Sequence, residues 1–188
     1  GADTVSLVTL TTQGTFNLGA GTDVLSLGNS GNNTLTVAGA ETITGNSGND
    51  TVTLAAGLSG TTSLVLGAGT DILNLANAIN TLTLGADIET VIGNSAVDTL
   101  TISAAVSGNV YNLGAGADAL TLQGSGNTVS ISGVETFTGG TGADNVTLLS
   151  AQTGAVYNLG SGTDILTLAD GINTMSVAGA ESVVGGTG

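Results

Sequence analysis

The stretch Gly45–Leu54, which reads GNSGNDTVTL, decides the fold of this chain. Its first half is a run of turn-forming residues that ends in Asp50, and its second half alternates threonine with apolar residues. Alternation with a period of two is typical of a half-buried β-strand, whereas Gly, Asn and Ser favour tight turns. The chain opens with a related pattern, GADTVSL at 1–7. The stretch therefore predicts short strands that follow glycine-rich, acidic turns.

A longer repeat organises these turns. LGAGTDVLSL at 18–27 returns as LGAGTDILNL at 66–75, LGAGADALTL at 113–122 and LGSGTDILTL at 159–168, in steps of 48, 47 and 46 residues. Such a fixed period is the signature of a repeat architecture. We predict one repeat array over 1–188, made of four copies of about 47 residues at about 1–47, 48–95, 96–141 and 142–188. Because the pattern could be continued from both ends, we expect the chain to be a segment of a longer protein.

Each copy contains a finer period of five short strands. In the first copy the inward-facing residues are predicted to be Val5 and Leu7, Phe16 and Leu18, Leu25 and Leu27, Leu35 and Val37, and Ile43. Turn-forming residues separate the strands, so that about nine residues lie between neighbouring strands. We predict an all-β fold without helix, namely a parallel β-roll or β-solenoid with two short strands per turn and about ten turns.

Acidic residues recur at fixed places in the turns. One set is Asp3, Asp50, Asp98 and Asp144, a second set is Asp23, Asp71, Asp118 and Asp164, and a third set is Glu41, Glu89, Glu135 and Glu181. With two strands per turn, each Asp of the first set lies over one of the second, roughly 5 Å away. Such stacked carboxylates repel each other unless a cation lies between them. Ca²⁺ is suited to that place, because it binds carboxylate and backbone carbonyl oxygens together.

A set of asparagines recurs in another loop of each copy. It consists of Asn33, Asn80, Asn127 and Asn173. We interpret these residues as side-chain amides that form a ladder along one edge, or as residues that tolerate left-handed turns.

The motifs resemble the repeats of RTX proteins. GNSGNDTVT at 45–53 and GGTGADNVT at 139–147 match the nonapeptide G-G-x-G-x-D-x-U-x, and GAGTDVLS at 19–26 is a shortened form. The resemblance implies a β-roll with Ca²⁺ held between successive loops. It also implies type I secretion and an extracellular or cell-surface location. Among RTX proteins, the interspersed GVET and GAET segments look most like the repeats of surface-layer and adhesin members.

The resemblance further implies which residues bind the metal. It gives a Ca²⁺-ligand role to the eight stacked aspartates. The glutamate set would extend each stack of aspartates by one site. The aspartates are Asp3, Asp23, Asp50, Asp71, Asp98, Asp118, Asp144 and Asp164, and the glutamates are Glu41, Glu89, Glu135 and Glu181.

Charge limits the partners. The chain has 14 acidic residues and no Lys, Arg or His, so its net charge is −14. Nucleic acid and anionic membrane surfaces would repel it, because both are bound through basic side chains. The sequence also has no apolar run long enough to be inserted in a membrane. The partners we expect are copies of the chain, associated in a lattice or filament, and a cell-surface or polysaccharide ligand.

The predicted function is a calcium-binding structural or adhesive segment of a surface layer, adhesin or filament. We predict no enzymatic activity, because the usual bases and nucleophiles His, Cys and Lys are missing and the acids recur identically in four copies. One alternative is an ice-binding β-solenoid, since T-x-T motifs such as Thr34–Thr36 and Thr51–Thr53 resemble the threonine rows of antifreeze proteins. A second alternative is a calcium-independent solenoid, or a non-catalytic module of a secreted enzyme.

Overall fold

The computed structural model describes residues 1–28, 31–60, 62–124 and 126–187. These residues form twenty β-strands, which follow one another along the chain, and no helix. The strands are short because glycine-rich turns interrupt the alternating segments, as Gly45 and Gly48 do before Thr51–Leu54. No helix among the described residues is long and apolar enough to cross a membrane.

The odd-numbered strands are β1 (Thr4–Ser6), β3 (Val24–Ser26), β5 (Thr42–Thr44), β7 (Ser63–Val65), β9 (Asn80–Leu84), β11 (Asp98–Ile102), β13 (Ala119–Leu122), β15 (Thr136–Thr138), β17 (Thr153–Asn158) and β19 (Thr174–Ala178). The even-numbered strands are β2 (Thr12–Asn17), β4 (Thr34–Ala38), β6 (Thr51–Leu54), β8 (Ile72–Asn74), β10 (Thr90–Ile92), β12 (Ser107–Asn112), β14 (Thr128–Ser132), β16 (Asn145–Leu148), β18 (Ile165–Thr167) and β20 (Ser182–Val184).

The strands build a parallel β-solenoid with two strands per turn. The even-numbered strands form one ten-stranded sheet, and the odd-numbered strands form a four-stranded sheet, β1 to β7, followed by a six-stranded sheet, β9 to β19. Every pairing is parallel and joins a strand to the one two positions further along the chain, as when Val52 of β6 lies beside Leu73 of β8. The nine steps between the ten even-numbered strands make about nine turns, close to the expected ten. The predicted fold class is confirmed.

The core lies between the inner faces of the sheets. Side chains alternate inward and outward along each strand, so Val52 and Leu54 of β6 are buried while Thr51 and Thr53 are partly exposed. Phe16 and the residues at its position in the later copies all face inward: Leu64, Tyr111 and Tyr157 are buried, and Phe16 packs partly buried against the same core. The inward-facing assignments made from the sequence are therefore confirmed.

The number of strands in each copy decides on which edge of the solenoid its loops lie. Each copy has five strands and each turn of the solenoid has two, so equivalent loops of successive copies fall on opposite edges. Asp50 precedes β6, on the edge where the even-numbered strands begin, and Asp98 stands at the start of β11, on the other edge. Both edges therefore carry acidic residues.

Candidate metal-binding site

The predicted stacking of the two aspartate sets is present at all four places. In each pair the backbone N–H of the first aspartate donates a hydrogen bond to the Oδ1 of the aspartate one turn further on. The bonds join Asp3 to Asp23 (2.6 Å), Asp50 to Asp71 (2.7 Å), Asp98 to Asp118 (2.7 Å) and Asp144 to Asp164 (2.8 Å). The second carboxyl group of each pair thus accepts a hydrogen bond from the neighbouring turn, and the bond is charge-assisted when that group is ionised.

Asparagine and glutamate extend these pairs in both directions. The N–H of Asp71 donates to Oε2 of Glu89 (2.7 Å), and the N–H of Asn33 donates to Oδ1 of Asp50 (2.8 Å). We call each such Asn–Asp–Asp–Glu run a carboxylate ladder. The three complete ladders are Asn33–Asp50–Asp71–Glu89, Asn80–Asp98–Asp118–Glu135 and Asn127–Asp144–Asp164–Glu181. In each ladder the glutamate lies one turn beyond the second aspartate, and its role as a metal ligand stays a prediction.

The interpretation of the asparagines needs correction. Asn33 and Asn80 lie on opposite edges and do not form one ladder of amides, because five strands per copy move the loop to the other edge. Each amide nitrogen donates to the following aspartate, from Asn33 to Asp50 (2.9 Å) and from Asn80 to Asp98 (2.8 Å). Nor is any of the four asparagines left-handed, since Gln13 and Asn46 are the only non-glycine residues with positive φ in the described part of the chain.

Seven of the eight aspartates are buried with one oxygen unsatisfied. Asp23, Asp50, Asp71, Asp98, Asp118, Asp144 and Asp164 are at most 1% exposed, and the Oδ2 of each has no hydrogen-bond partner among the described residues. Asp3, in the first turn, is exposed. A buried anionic oxygen without a partner is costly, so each Oδ2 calls for a proton or a cation.

The environment favours the protonated form of several of these carboxyl groups. The pKa of Asp71 is raised to about 6, mainly by burial and to a smaller extent by the charges of Asp50, Glu89 and Asp87, against the opposing hydrogen bond from the Asp50 N–H. Burial likewise raises the pKa of Asp118 to about 6. The pKa values of Asp50, Asp98 and Asp144 are also raised by burial.

A glycine beside each complete ladder allows the backbone to approach an unsatisfied oxygen closely. A Cβ at Gly45 would lie against the carbonyl oxygen of Leu66 and 2.7 Å from Oδ2 of Asp50. The same arrangement recurs at Gly93, with Leu113 O and Asp98 Oδ2, and at Gly139, with Leu159 O and Asp144 Oδ2. We call each of these places a glycine gap. The glycine gap thus brings a carboxylate oxygen and a carbonyl oxygen to the same place, and this detail was not predicted from the sequence.

In each ladder the carboxylates follow one another from turn to turn along one edge of the solenoid, and they do not gather around a single point. Within the described ranges, no three His, Cys, Asp or Glu side chains form a group that could hold a metal ion. A cation at a ladder would therefore need backbone carbonyl oxygens in addition to carboxylates. That donor set fits Ca²⁺, which accepts such mixed oxygen ligands.

The threonine motifs are divided between two sheets. Thr34–Thr36 and Thr51–Thr53 lie on the even-numbered strands, whereas Thr81–Thr83 and Thr99–Thr101 lie on the odd-numbered strands. In-register rows are short: the longest consists of Thr83, Thr101, Thr121 and Thr138, and Asn158 ends it. No in-register threonine row in the described strands is longer than these four residues.

Comparisons with protein-family models, with curated proteins and with solved structures find no match to this chain. The resemblance of its motifs to RTX repeats stays a prediction from the sequence.

Proposed function

We propose that this chain is a calcium-binding structural segment of a secreted or cell-surface protein, such as a surface layer, adhesin or filament. The observation that carries the proposal is the set of seven buried aspartate Oδ2 atoms that have no hydrogen-bond partner in the described part of the chain. The chain has no cationic side chain that could neutralise them. An external cation is therefore the remaining source of positive charge at neutral pH.

The chemistry of the ladders favours Ca²⁺ over other common cations. Ca²⁺ binds six to eight oxygen atoms in flexible arrangements, whereas Mg²⁺ demands a tight octahedron. In the first complete ladder, Oδ2 of Asp50 and the carbonyl oxygen of Leu66 would supply ligands beside Gly45. Asp98 with Leu113 O, and Asp144 with Leu159 O, would do the same in the other ladders. Bound there, Ca²⁺ would supply charge neutralisation between turns.

The net charge is consistent with one ion for each aspartate pair. Four divalent ions would remove eight of the 14 negative charges and leave a net charge of −6. A net charge of magnitude about 2–8 is typical of a small soluble domain. The repeated sites would therefore stabilise a solenoid that otherwise repels itself.

A structural role fits the repetition of the site. An enzyme needs one asymmetric constellation, whereas the same ladder recurs three times here, on both edges of the solenoid. The core between the sheets is filled with Leu, Val, Ile and a few aromatic side chains. The location outside the cell rests on the resemblance of the motifs to RTX repeats.

Calorimetric titration tests the calcium part of the proposal. The protein is freed of metal with EDTA, dialysed and titrated with CaCl₂ at pH 7, and its thermal unfolding is followed with and without the ion. We expect heat of binding and a higher Tm in CaCl₂, because a ligand that binds the folded state stabilises it. MgCl₂ should produce a much smaller change.

Two variants localise the site. The double variant Asp50→Asn with Asp71→Asn should lose one binding event and keep the others. Asp170→Asn is the matched control, since Asp170 is an exposed carboxylate outside the ladders, bonded to Thr187. Absence of binding heat, together with the same Tm in EDTA and in CaCl₂, would leave a calcium-independent solenoid as the better interpretation.

A further inference from the structure

The outer face of the ten-stranded sheet carries no charge. The ten even-numbered strands consist of Thr, Ser, Asn, Gln, Gly and apolar or aromatic residues, and none of their residues is acidic. The acidic residues of this sheet's edge lie in the loops before the strands, as Asp50 and Asp71 do before β6 and β8. In a chain with a net charge of −14, one whole sheet face is therefore free of carboxylates.

Three apolar side chains form a patch on this face. Ile72 of β8, Ile92 of β10 and Val110 of β12 lie on neighbouring strands and point outward. Ile92 is 37% exposed, and Ile72 and Val110 are half-buried. In the register of the sheet, Thr90 lies between Ile72 and Val110. We call these four residues the outer patch, and they lie in the interior of the array, away from its first and last turns.

The opposite outer face is less continuous. Its sheet is interrupted between β7 and β9, and Asp98 begins one of its strands, β11. Two of its exposed apolar side chains, Val65 of β7 and Val156 of β17, lie on strands that are far apart. The ten-stranded sheet thus provides the longer uncharged surface, with an apolar patch surrounded by hydroxyl and amide groups. An apolar centre with a polar rim is the usual composition of a protein interface.

Two such faces have enough area for a specific contact. Nine strand spacings and strands of three to six residues give a face of about 43 Å by about 10–20 Å. Two faces packed together would bury on the order of 1,200 Å² in total, which is at the lower end of the range for specific interfaces. A contact of this size is expected to be reversible and to depend on protein concentration.

We propose that a second copy of this chain packs face to face on the ten-stranded sheet, with its outer patch on the outer patch of the first. A two-fold axis parallel to β10 and midway between the sheets places Ile72 of each copy over Val110 of the other, and Ile92 over Ile92. The patch is self-complementary about this axis because Ile72 and Val110 lie on either side of Thr90. Two-fold contacts of this kind are the commonest between identical chains.

Charge favours a second copy over a partner of another kind. A basic partner would be attracted to the loops, where the acidic residues lie, and an uncharged face offers it no complementary charge. A second copy carries the same negative charge, so it can approach closely only where neither surface has a carboxylate. The pairing goes beyond the proposed calcium binding and does not need the ion, because no residue of the outer patch is a candidate ligand.

Sedimentation velocity in EDTA tests the pairing without calcium, in about 1 M NaCl, where the Debye length of about 3 Å screens charge repulsion. The unmodified chain should change from monomer to dimer as its concentration rises. Ile92→Asp should weaken dimerisation at least tenfold, because two unpaired carboxylates would be buried against each other. Val156→Asp is the matched control, since it adds the same charge at an exposed valine of the opposite face. It should dimerise like the unmodified chain, and circular dichroism checks that both variants fold.

Crosslinking locates the contact. The chain has no cysteine, so Thr90→Cys can be joined only to the same position of a second copy. The two sulfur atoms would lie within the sheet-to-sheet distance of about 10 Å, which a short bismaleimide reagent spans. The control is Thr138→Cys, a half-buried, outward-facing position on the opposite face. Thr90→Cys should form crosslinked dimers much faster than Thr138→Cys.

Three results would overturn the proposed pairing. They are an unmodified chain that stays monomeric at every concentration, equal dimerisation of Ile92→Asp and Val156→Asp, and equal crosslinking of the two cysteine variants. The calcium proposal is read separately, by calorimetry. Absence of calcium binding would therefore leave these results unchanged, and absence of dimers would leave the calcium proposal standing.

Discussion

At the scale of single residues, the buried aspartates combine two roles that conflict at neutral pH. Oδ1 of Asp71 accepts the N–H of Asp50 and holds two turns together, while its Oδ2 is buried without a partner. The hydrogen bond favours the ionised form, and burial favours the neutral form. Because burial is the larger effect, protonation or metal binding should stabilise the fold at this residue.

The first prediction concerns pH in the absence of metal. The pKa values of Asp71 and Asp118 are raised to about 6 in the folded protein, against about 3.9 in an unfolded chain. The folded state therefore binds protons more tightly, so its stability is greatest below about pH 4 and falls as the pH rises through 6. Thermal unfolding in EDTA between pH 4 and 8 should show a falling Tm. The variant Asp71→Asn with Asp118→Asn should flatten this profile, and a Tm that rises with pH would contradict the prediction.

The second prediction concerns the glycine gaps. Gly45→Ala should lower the Tm by several degrees, because a Cβ there would press on the Leu66 carbonyl and on Asp50, and such overpacking costs about 1–3 kcal/mol. Gly185→Ala is the control, since a Cβ at that position meets nothing within 4 Å. Both variants are compared by thermal unfolding in dilute solution. Equal Tm values for Gly45→Ala and Gly185→Ala would show that the Leu66 carbonyl oxygen and Asp50 do not lie in close contact with Gly45.

At the scale of elements, the alternation within each strand decides what is buried. Val52 of β6 is fully buried and Thr53 beside it faces outward, although the two residues differ little in size. The register of the paired strands is tightly specified, because a shift of one residue would turn every apolar side chain outward. The strand pairing thus decides which side chains face the core. Because the ladder residues lie where the strands begin, the pairing also decides where the ladders lie.

The third prediction concerns this alternation. Val52→Asp should unfold the protein or lower its free energy of unfolding by several kcal/mol, because a carboxylate would be buried without a partner. Thr53→Asp carries the same charge one position along and should have a small effect. Circular dichroism melting curves compare the two variants with the unmodified chain. Similar losses of stability in both would mean that the inward faces are assigned wrongly.

Much of the fold and part of the site could be predicted from these patterns. The stacking of Asp50 over Asp71 follows from two strands per turn and spacings of about nineteen residues. The bond from Asn33 to Asp50 was missed because the sequence does not show where backbone N–H groups point. Its signal was nevertheless present: Asn33, Asp50, Asp71 and Glu89 follow one another at intervals of 17, 21 and 18 residues.

At the scale of the whole molecule, the solenoid is a one-dimensional stack. Each turn contacts only the turns before and after it, so the stability is a sum of turns and of interfaces between neighbours. The nine steps of the ten-stranded sheet span about 43 Å at the usual strand spacing of about 4.8 Å. Interior turns have two such interfaces and end turns have one. The ends should therefore open more easily than the middle.

The fourth prediction concerns this difference. Amide hydrogen exchange in dilute solution should show the strongest protection in β10, β11 and β12, and the weakest in β1 and β20, because opening an end turn breaks one interface instead of two. NMR or mass spectrometry of peptides from each strand measures the gradient. Equal protection along the chain would mean that the solenoid opens only as a whole.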